Sequence, residues 1–134
     1  MITVGTDLVH VPSLREQLED SASAFRARTF TDAELAYAES APGGRAEQHL
    51  AARFAAKEAT LKALDHAAAL RKMVPPSVAL KSIEILRDER GRPSLALHDD
   101  ASALASELGV ERAQLSLSHD GDYAVAFVTL SLAQ

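Results

Sequence analysis

The chain has 134 residues, a length that predicts one domain over residues 1–134 with a hydrophobic core of its own. Hydrophobic residues make up 47% of it and aromatic residues only 4%, so the core must rest on aliphatic side chains. A platform of aromatic rings for single-stranded nucleic acid is therefore not expected. The net charge of -5 also disfavours nonspecific binding to nucleic acid or to an anionic membrane surface.

Cysteine usage and the first residues bear on the cellular compartment. The absence of cysteine excludes disulfides, zinc–thiolate sites and a cysteine nucleophile, and it is compatible with a reducing compartment. Residues 1–7 lack the basic start and apolar core of a secretory signal. No run approaches the ~18 apolar residues of a membrane span. We therefore expect a cytoplasmic protein.

The chain opens with a predicted strand over residues 1–9. Alternate residues of a strand face opposite sides of the sheet, so Gly5 and Asp7 share a face. A glycine inside a strand usually marks the close approach of another backbone or of a ligand. Aspartate is depleted in strands, so Asp7 either caps the following turn or belongs to a functional site.

Two capping-box patterns predict short helices in the next part of the chain. One begins at Ser13 with Glu16 three residues on, and the other begins at Thr31 with Glu34. Residues 42–44, Pro-Gly-Gly, then interrupt the chain. The following run from residue 45 to 74 has neither glycine nor proline and is rich in alanine and leucine, which predicts one long central helix.

From about residue 82 the apolar residues recur every second position, which indicates strands. Aspartate before the apolar run near residue 100 can cap a helix that ends at Gly109. Hairpins around one long helix predict an α+β fold with a mainly antiparallel sheet packed around that helix. The predicted elements in this half are strands 82–87 and 94–98, a helix from Asp99 or Asp100 to Leu108, and strands 114–119 and 123–132.

The central helix carries a charged pair at the edge of its apolar side. At roughly 100° per residue, Leu50, Phe54 and Leu61 fall within one arc, which predicts the buried face. Glu58 lies about 40° from Phe54, and Lys62 lies one turn beyond Glu58. Two interpretations are open at this point. The pair is a surface ion pair contributing about 0.2–0.5 kcal/mol, or Glu58 holds a hard cation while Lys62 faces a phosphate.

Three segments then combine into a family signature. They are Val4-Gly5-Thr6-Asp7-Leu8-Val9, Arg53-Phe54-Ala55-Ala56-Lys57-Glu58-Ala59 continued by Lys62-Ala63, and Leu117-Ser118-His119-Asp120. In this order they resemble the 4′-phosphopantetheinyl transferases, in particular the short bacterial holo-acyl-carrier-protein synthases. The opening segment is weak alone, but the central one is specific, and the likeness covers almost the whole chain.

The resemblance implies a reaction and a metal. The 4′-phosphopantetheine arm of coenzyme A would pass to a serine of apo acyl carrier protein, or of a carrier domain of a fatty-acid synthase, releasing adenosine 3′,5′-bisphosphate. Mg²⁺ would be bound by Asp7 and Glu58, two ligands that leave room for substrate phosphates and waters. Lys62 would face the phosphates. The base for the serine proton stays open between Glu58 itself and a metal-bound water.

The resemblance also implies contacts to the nucleotide. Arg45 and Arg53 match positions that contact phosphates on the adenosine side of coenzyme A, and His119 matches a position beside the nucleotide or its phosphates. Each has a structural alternative. Arg45 would then be a solvated residue at the helix start, Arg53 a partner of a carboxylate, and His119 a hydrogen-bonded residue at a strand end.

The carrier protein would meet the first helical region. The matching residues are Arg15, Phe25, Arg26 and Arg28. Acidic residues are interspersed among these arginines, so fewer charge pairs are expected than in relatives, and a carrier domain within a larger synthase is a further candidate partner. Members of this class are typically homotrimers with active sites between subunits, and we expect a homotrimer here as well.

One departure from the family pattern affects both structure and function. Many relatives carry a Gly-x-Gly turn after the Lys-Ala of the central segment, whereas this chain continues with Asp65-His66-Ala67-Ala68. The change predicts a longer helix or a remodelled loop up to Pro75. It also leaves an alternative function open, a non-catalytic trimer that binds coenzyme A or a nucleotide without transferring the arm.

Overall fold

The structure is a computed structural model that describes residues 1–41, 43 and 45–134; of the predicted break at 42–44, Pro42 and Gly44 lie outside the described residues. The elements confirm the predicted alternation of strands and helices. In chain order they are β1 (Ile2–His10), α1 (Val11–Glu19), α2 (Phe25–Thr29), α3 (Asp32–Ser40), α4 (Ala46–Leu70), a 3₁₀ turn (Leu80–Ser82), β2 (Ile83–Arg87), β3 (Pro93–Leu97), α5 (Asp99–Leu108), β4 (Val110–Asp120) and β5 (Tyr123–Leu132).

The strands form two antiparallel sheets. The larger sheet has the order β1-β5-β4, and the smaller one is the β2-β3 hairpin. In the larger sheet Gly5 lies opposite Val128 and Asp7 opposite Ala126. Helix α4 packs on this inner face, whose β5 residues Ala124, Ala126, Val128 and Leu130 are fully buried. The predicted α+β fold with antiparallel sheets around one long helix is confirmed.

The buried side of α4 differs from the predicted one. Leu50 and Leu64 are buried, but Phe54 and Leu61 are only partly buried. The side against the sheet is made of alanines, and Ala55, Ala56, Ala59, Ala63, Ala67 and Ala68 have no exposed surface. A helical wheel weighted by side-chain hydrophobicity overlooks alanine, although small side chains are what allow a strand to lie directly on a helix.

Gly5 makes the closest approach between β1 and α4. A Cβ atom added at Gly5 would lie 1.9 Å from the carbonyl oxygen of Ala59, so the two backbones are in direct contact. Nearby, Thr3 Oγ1 donates a hydrogen bond of 3.0 Å to the carbonyl of Ala63. The close approach predicted for Gly5 is therefore to another backbone, and it fixes β1 on the helix next to Asp7.

The helix termini confirm some predicted caps and correct others. The Thr31–Glu34 capping box is present with both of its hydrogen bonds. The box at Ser13 was wrong, because α1 already begins at Val11 with a proline in its first turn, and the Ser13 hydroxyl instead pairs with His10 Nδ1 at 2.7 Å. Helix α5 begins at Asp99 without a side-chain cap, whereas Gly109 ends it in the left-handed region as predicted, with φ of 78°.

The end of α4 bears on the departure from the family turn. The helix continues through Asp65 and His66 to Leu70, which confirms the longer helix among the two alternatives. Lys72 then adopts a positive φ and turns the chain away. Among the described residues, none of the helices combines the length and apolar character that a bilayer-spanning segment requires.

The outer face of the larger sheet carries exposed apolar side chains. Five of them are between 46% and 69% exposed, which is unusual for large hydrophobic residues gathered on one surface. The register of β1 against β5 brings them onto the same side of the sheet. They are Ile2, Val4, Leu8, Tyr123 and Phe127.

We expect Gly5→Ala to destabilise the protein strongly. The added methyl group would clash with the Ala59 carbonyl oxygen, and relieving the clash would require the backbone of β1 or of α4 to shift. Overpacking typically costs about 1–3 kcal/mol, and this contact belongs at the upper end. The midpoint of urea-induced unfolding measures the change. Gly121→Ala is the matched control, since no atom lies within 4 Å of its added Cβ and only its positive φ opposes the substitution. Equal losses in the two variants would contradict the close-contact account.

Candidate active site

The centre of the candidate site lies where β1 crosses α4. Asp7 is on the inner face of β1, and Glu58 and Lys62 are one turn apart on α4. The Lys62 ammonium donates hydrogen bonds to the carbonyl of Thr6 at 2.9 Å and to Asp7 Oδ1 at 3.2 Å. Lys62 thus reaches across to β1, and no ion pair between Lys62 and Glu58 within 4.0 Å is found among the described residues. The simple surface pair within α4 is therefore not what forms.

Glu58 is held in a setting that disfavours its charge. Burial raises the pKa of the Glu58 carboxyl, the nearby negative charge of Asp7 raises it further, and Lys62 opposes both effects. The charge of Asp7 acts on Glu58 although the two residues come from distant parts of the chain, and Lys62, one turn beyond Glu58, binds Asp7 Oδ1 at 3.2 Å. Such a pair of carboxylates is stabilised by a cation placed between its members.

The number of acidic ligands is also informative. Within residues 1–41, 43 and 45–134 there is no cluster of three or more histidine, aspartate or glutamate side chains that could hold a metal. Asp7 and Glu58 are therefore two carboxylates with no third histidine, aspartate or glutamate ligand beside them among the described residues. This donor set fits Mg²⁺, which keeps several waters and is commonly bound by one or two carboxylates together with substrate phosphates.

A groove of about 650 Å³ opens beside Glu58. Its walls come from α2 on one side, from the 3₁₀ turn on the other, and from α4 at the floor. The lining is mainly apolar, with a cationic residue on each side. It includes Phe25 and Arg28, Phe54 and Glu58, and Leu80 and Lys81.

A second, smaller cavity of about 180 Å³ is cationic. Arg53 and His49 line it from α4, Arg87 from the end of β2, and His119 from β4. Arg45 precedes α4 at its N-cap position, and its charge acts on His49. The structure thus gathers Arg45, Arg53 and His119 in one region and Asp7, Glu58 and Lys62 in another.

Arg53 is the most unusual cation of this cavity. It is only 4% exposed, and its Nε has no hydrogen-bond partner among the described residues. Its guanidinium stacks over the Tyr37 ring at 4.4 Å, and that of Arg87 lies over the same ring at 5.0 Å. Burial lowers the pKa of Arg53, while the charge of Glu34 opposes that change. The predicted structural alternative, a direct carboxylate pair, is not found among the described residues; one guanidinium nitrogen instead donates to the carbonyl of His49 at 3.3 Å.

Two residues of this cavity, His49 and Arg87, were missed in the sequence. Burial lowers the pKa of His49, and the charges of Arg53, His119 and Arg45 lower it further, as expected in a cluster of cations. The spacing of positions 45, 49 and 53 would have revealed His49, because residues four apart share a helix face. Arg87 reaches the cavity only through the tertiary packing of β2, so no local pattern indicates it.

The residues expected to meet a carrier protein lie around the groove and on α1. Phe25 packs edge-on against Phe54, with ring centroids 5.5 Å apart. Arg26 and Arg28 are exposed on α2. Arg15 instead faces Glu47, with Nε 3.5 Å from Oε1, so part of its charge is already neutralised. The free positive charge therefore lies on α2 and beside the groove rather than on α1.

The raised pKa of Glu58 predicts how stability depends on pH. The folded state binds this proton more tightly than the unfolded chain does, so the stability it provides is present below the ordinary value of 4.5 and is lost as pH rises through the folded pKa. In protein kept free of metal with EDTA, Glu58→Gln should melt at a higher temperature than the parent at about pH 7, with the difference shrinking towards about pH 4. Glu16→Gln, at an exposed position of α1, is the control. A difference in melting temperature that does not change with pH would show that the surroundings of Glu58 do not raise its pKa.

Several known proteins resemble this chain in sequence. A family profile described as the 4′-phosphopantetheinyl transferase superfamily (ACPS) matches residues 3–128. A holo-[acyl-carrier-protein] synthase of Corynebacterium glutamicum (strain R) is 38% identical, over 98% of this chain and 99% of the relative. The holo-[acyl-carrier-protein] synthase of Halorhodospira halophila is 42% identical, over 95% of this chain and 94% of the relative.

Solved structures show the same similarity in three dimensions. A complex of ACPS with CoA, from an organism given as Chronobacterium ammoniagenes, superimposes with a TM-score of 0.85 at 37% identity, covering 100% of this chain and 99% of the other. The family profile spans nearly the whole chain, and the relatives match over their full length. On these grounds, the chain belongs to the 4′-phosphopantetheinyl transferase superfamily.

Proposed function

We propose that this protein transfers the 4′-phosphopantetheine arm of coenzyme A to a serine of apo acyl carrier protein or of a carrier domain. The serine oxygen forms a new bond to the phosphorus that carries pantetheine, and the bond from that phosphorus to the bridging oxygen of the diphosphate breaks. The serine proton is released, and adenosine 3′,5′-bisphosphate leaves. The observation that supports the proposal best is the hydrogen bond of 3.2 Å from Lys62 to Asp7 Oδ1, one turn of α4 from Glu58, whose pKa is raised by the charge of Asp7.

The two carboxylates would hold Mg²⁺. When bound, such an ion neutralises the charge that gathers on the diphosphate oxygens during transfer. Asp7 and Glu58 would hold the ion with two carboxylates and would leave room for phosphates and water. Lys62 is 57% exposed at its side chain, so its ammonium can leave the Thr6 carbonyl and meet a phosphate while remaining beside Asp7.

The cationic cavity would hold the phosphorylated nucleotide end. A dianionic phosphate there would offset the positive charges of Arg53, His119 and Arg45 that act on His49. The cavity lining includes neither Asp7, Glu58 nor Lys62, so a ligand that uses both kinds of region would have to be extended. In a trimer with sites between subunits, the two regions that complete one site would come from neighbouring chains.

The acceptor would approach from the α2 side. Phe25, Arg26 and Arg28 present an apolar ring and two cations there, and Arg15 adds a partly neutralised charge on α1. An acidic carrier protein matches this surface by charge, and its serine can enter the groove that ends at Glu58.

Within this proposal, residues 1–134 act as one phosphopantetheinyl transferase domain. The cytoplasmic location expected from the sequence stays a prediction.

Intact-mass measurement of apo carrier protein, incubated with coenzyme A and Mg²⁺, tests the proposed reaction. The parent protein should add the phosphopantetheine mass. Asp7→Asn and Glu58→Gln should lower kcat/KM by about 100-fold or more, because even outer-shell changes at metal sites cost about 10–100-fold. Glu39→Gln, at an exposed position of α3, should retain activity. Coenzyme A binding without a mass gain on several carrier proteins would instead identify the non-catalytic binding trimer.

The homotrimer is proposed from the exposed apolar face of the larger sheet. A domain of this size encloses little of a coenzyme A molecule, and association through this face removes large hydrophobic side chains from water. Phe127→Asp should therefore convert a trimer into monomers in multi-angle light scattering. Leu86→Asp, at an exposed leucine of β2, is the matched control and should leave the trimer intact. A parent protein that is monomeric and still binds coenzyme A would refute the trimer.

A further inference from the structure

Lys57 is a buried charge that the proposed mechanism does not use. It follows Ala56 in the signature segment and immediately precedes Glu58, yet its side chain has no exposed surface. It lines neither the groove nor the cationic cavity, so it stands outside both regions assigned to the substrates. An ammonium group removed from water in this way requires several specific partners.

Those partners come from three separate elements. The Lys57 ammonium lies 2.8 Å from Glu34 Oε1 on α3, and it donates to the carbonyls of Leu80 at 3.1 Å and of Ile83. Glu34 is fixed in turn, because it accepts from the backbone N–H of Thr31 at 2.8 Å and of Ile85 at 2.9 Å. All three ammonium protons are therefore used, and α3, the 3₁₀ turn and β2 are joined to α4 through one nitrogen.

The same nitrogen supports both walls of the groove beside Glu58. Leu80, whose carbonyl it binds, lies in the wall formed by the 3₁₀ turn. On the other side, Lys57 Nζ lies 5.9 Å from the centre of the Phe30 ring. Phe30 packs edge-on against Phe25 of the α2 wall, with centroids 6.2 Å apart. The width of the groove thus depends on a residue that does not line it.

We propose that Lys57 is a positioning residue for the acceptor side of the reaction. Its buried ion pair with Glu34 holds the two groove walls at the spacing that lets the carrier serine reach Glu58. This rests on the proposed function, in which the carrier enters between α2 and the 3₁₀ turn. The nucleotide cavity depends on Lys57 less, because β2 is also held by its ladder with β3.

A steady-state kinetic comparison tests this role. The double variant Glu34→Gln/Lys57→Met removes both buried charges at once, so it avoids leaving one unpaired ion inside the protein. We expect the KM for apo carrier protein to rise about tenfold, since small misplacements of a binding wall can cost up to about 100-fold. The KM for coenzyme A and the kcat at saturating carrier should change little. Hydrogen exchange should quicken at residues 79–83 and stay unchanged at residues 5–9.

Two further variants separate the possible failures. Arg71→Met is the matched control, because Arg71 also binds two carbonyls, those of Leu108 and Ala133, but away from the groove. It should lower stability without changing either KM. Arg28→Glu tests the entry route itself and should raise the carrier KM. An unchanged carrier KM in Arg28→Glu would overturn the entry route and, with it, the role of Lys57.

If Arg28→Glu raises the carrier KM but the double variant does not, the entry route stands and the inference about Lys57 is overturned. Equal increases in both KM values in the double variant would also overturn it, because they indicate general loosening. Should the double variant fail to fold, Phe30→Leu provides the test, since it keeps both buried charges and weakens only the ring contacts that connect Lys57 to the α2 wall. A selective rise in the carrier KM supports the proposal there too, and an unchanged ratio of the two KM values refutes it.

Discussion

The contact of Gly5 with the carbonyl of Ala59 is the constraint on which the candidate site depends. It allows β1 to lie directly on α4, and across this crossing the charge of Asp7 raises the pKa of the Glu58 carboxyl. The hydrogen bond from Thr3 to Ala63 fixes the register of the same crossing. A strand held one side-chain layer further out would leave two isolated carboxylates, neither of which would bind a divalent ion well.

Helix α4 places three charged side chains, those of Arg53, Lys57 and Glu58, in three different surroundings. Successive residues differ by about 100° around the axis, so Lys57 and Glu58 point to different surroundings although they are adjacent. Lys57 enters a closed ion pair with Glu34, Glu58 feels the charge of Asp7, and Arg53 stacks on Tyr37 beside the cationic cavity. The protein has a net negative charge, and the cavity lined by His49, Arg53, Arg87 and His119 is nevertheless cationic.

The sequence predicted those features that local patterns encode, and missed those created by packing. Alternation, turn residues and the glycine-free run identified the strands and α4, and the family signature pointed to Asp7, Glu58 and Lys62. The buried side of α4 was assigned wrongly because alanines contribute little to a hydrophobicity pattern. Helix α2 was not predicted because its five residues are too few to show a helical pattern. The meeting of Arg87 and Arg53 on one ring joins β2, α3 and α4, so no spacing along the chain reveals it.

The alanine-lined side of α4 also limits how this protein can vary. With no exposed surface at Ala55, Ala59 or Ala63, any larger side chain would displace β1 and carry Asp7 away from Glu58. Phe54 and Leu61 face a less crowded side and tolerate changes of shape. Substitutions, whether natural or designed for a different acceptor, are therefore expected mainly on that partly covered side of the helix. The residues on the side against the sheet accept few changes.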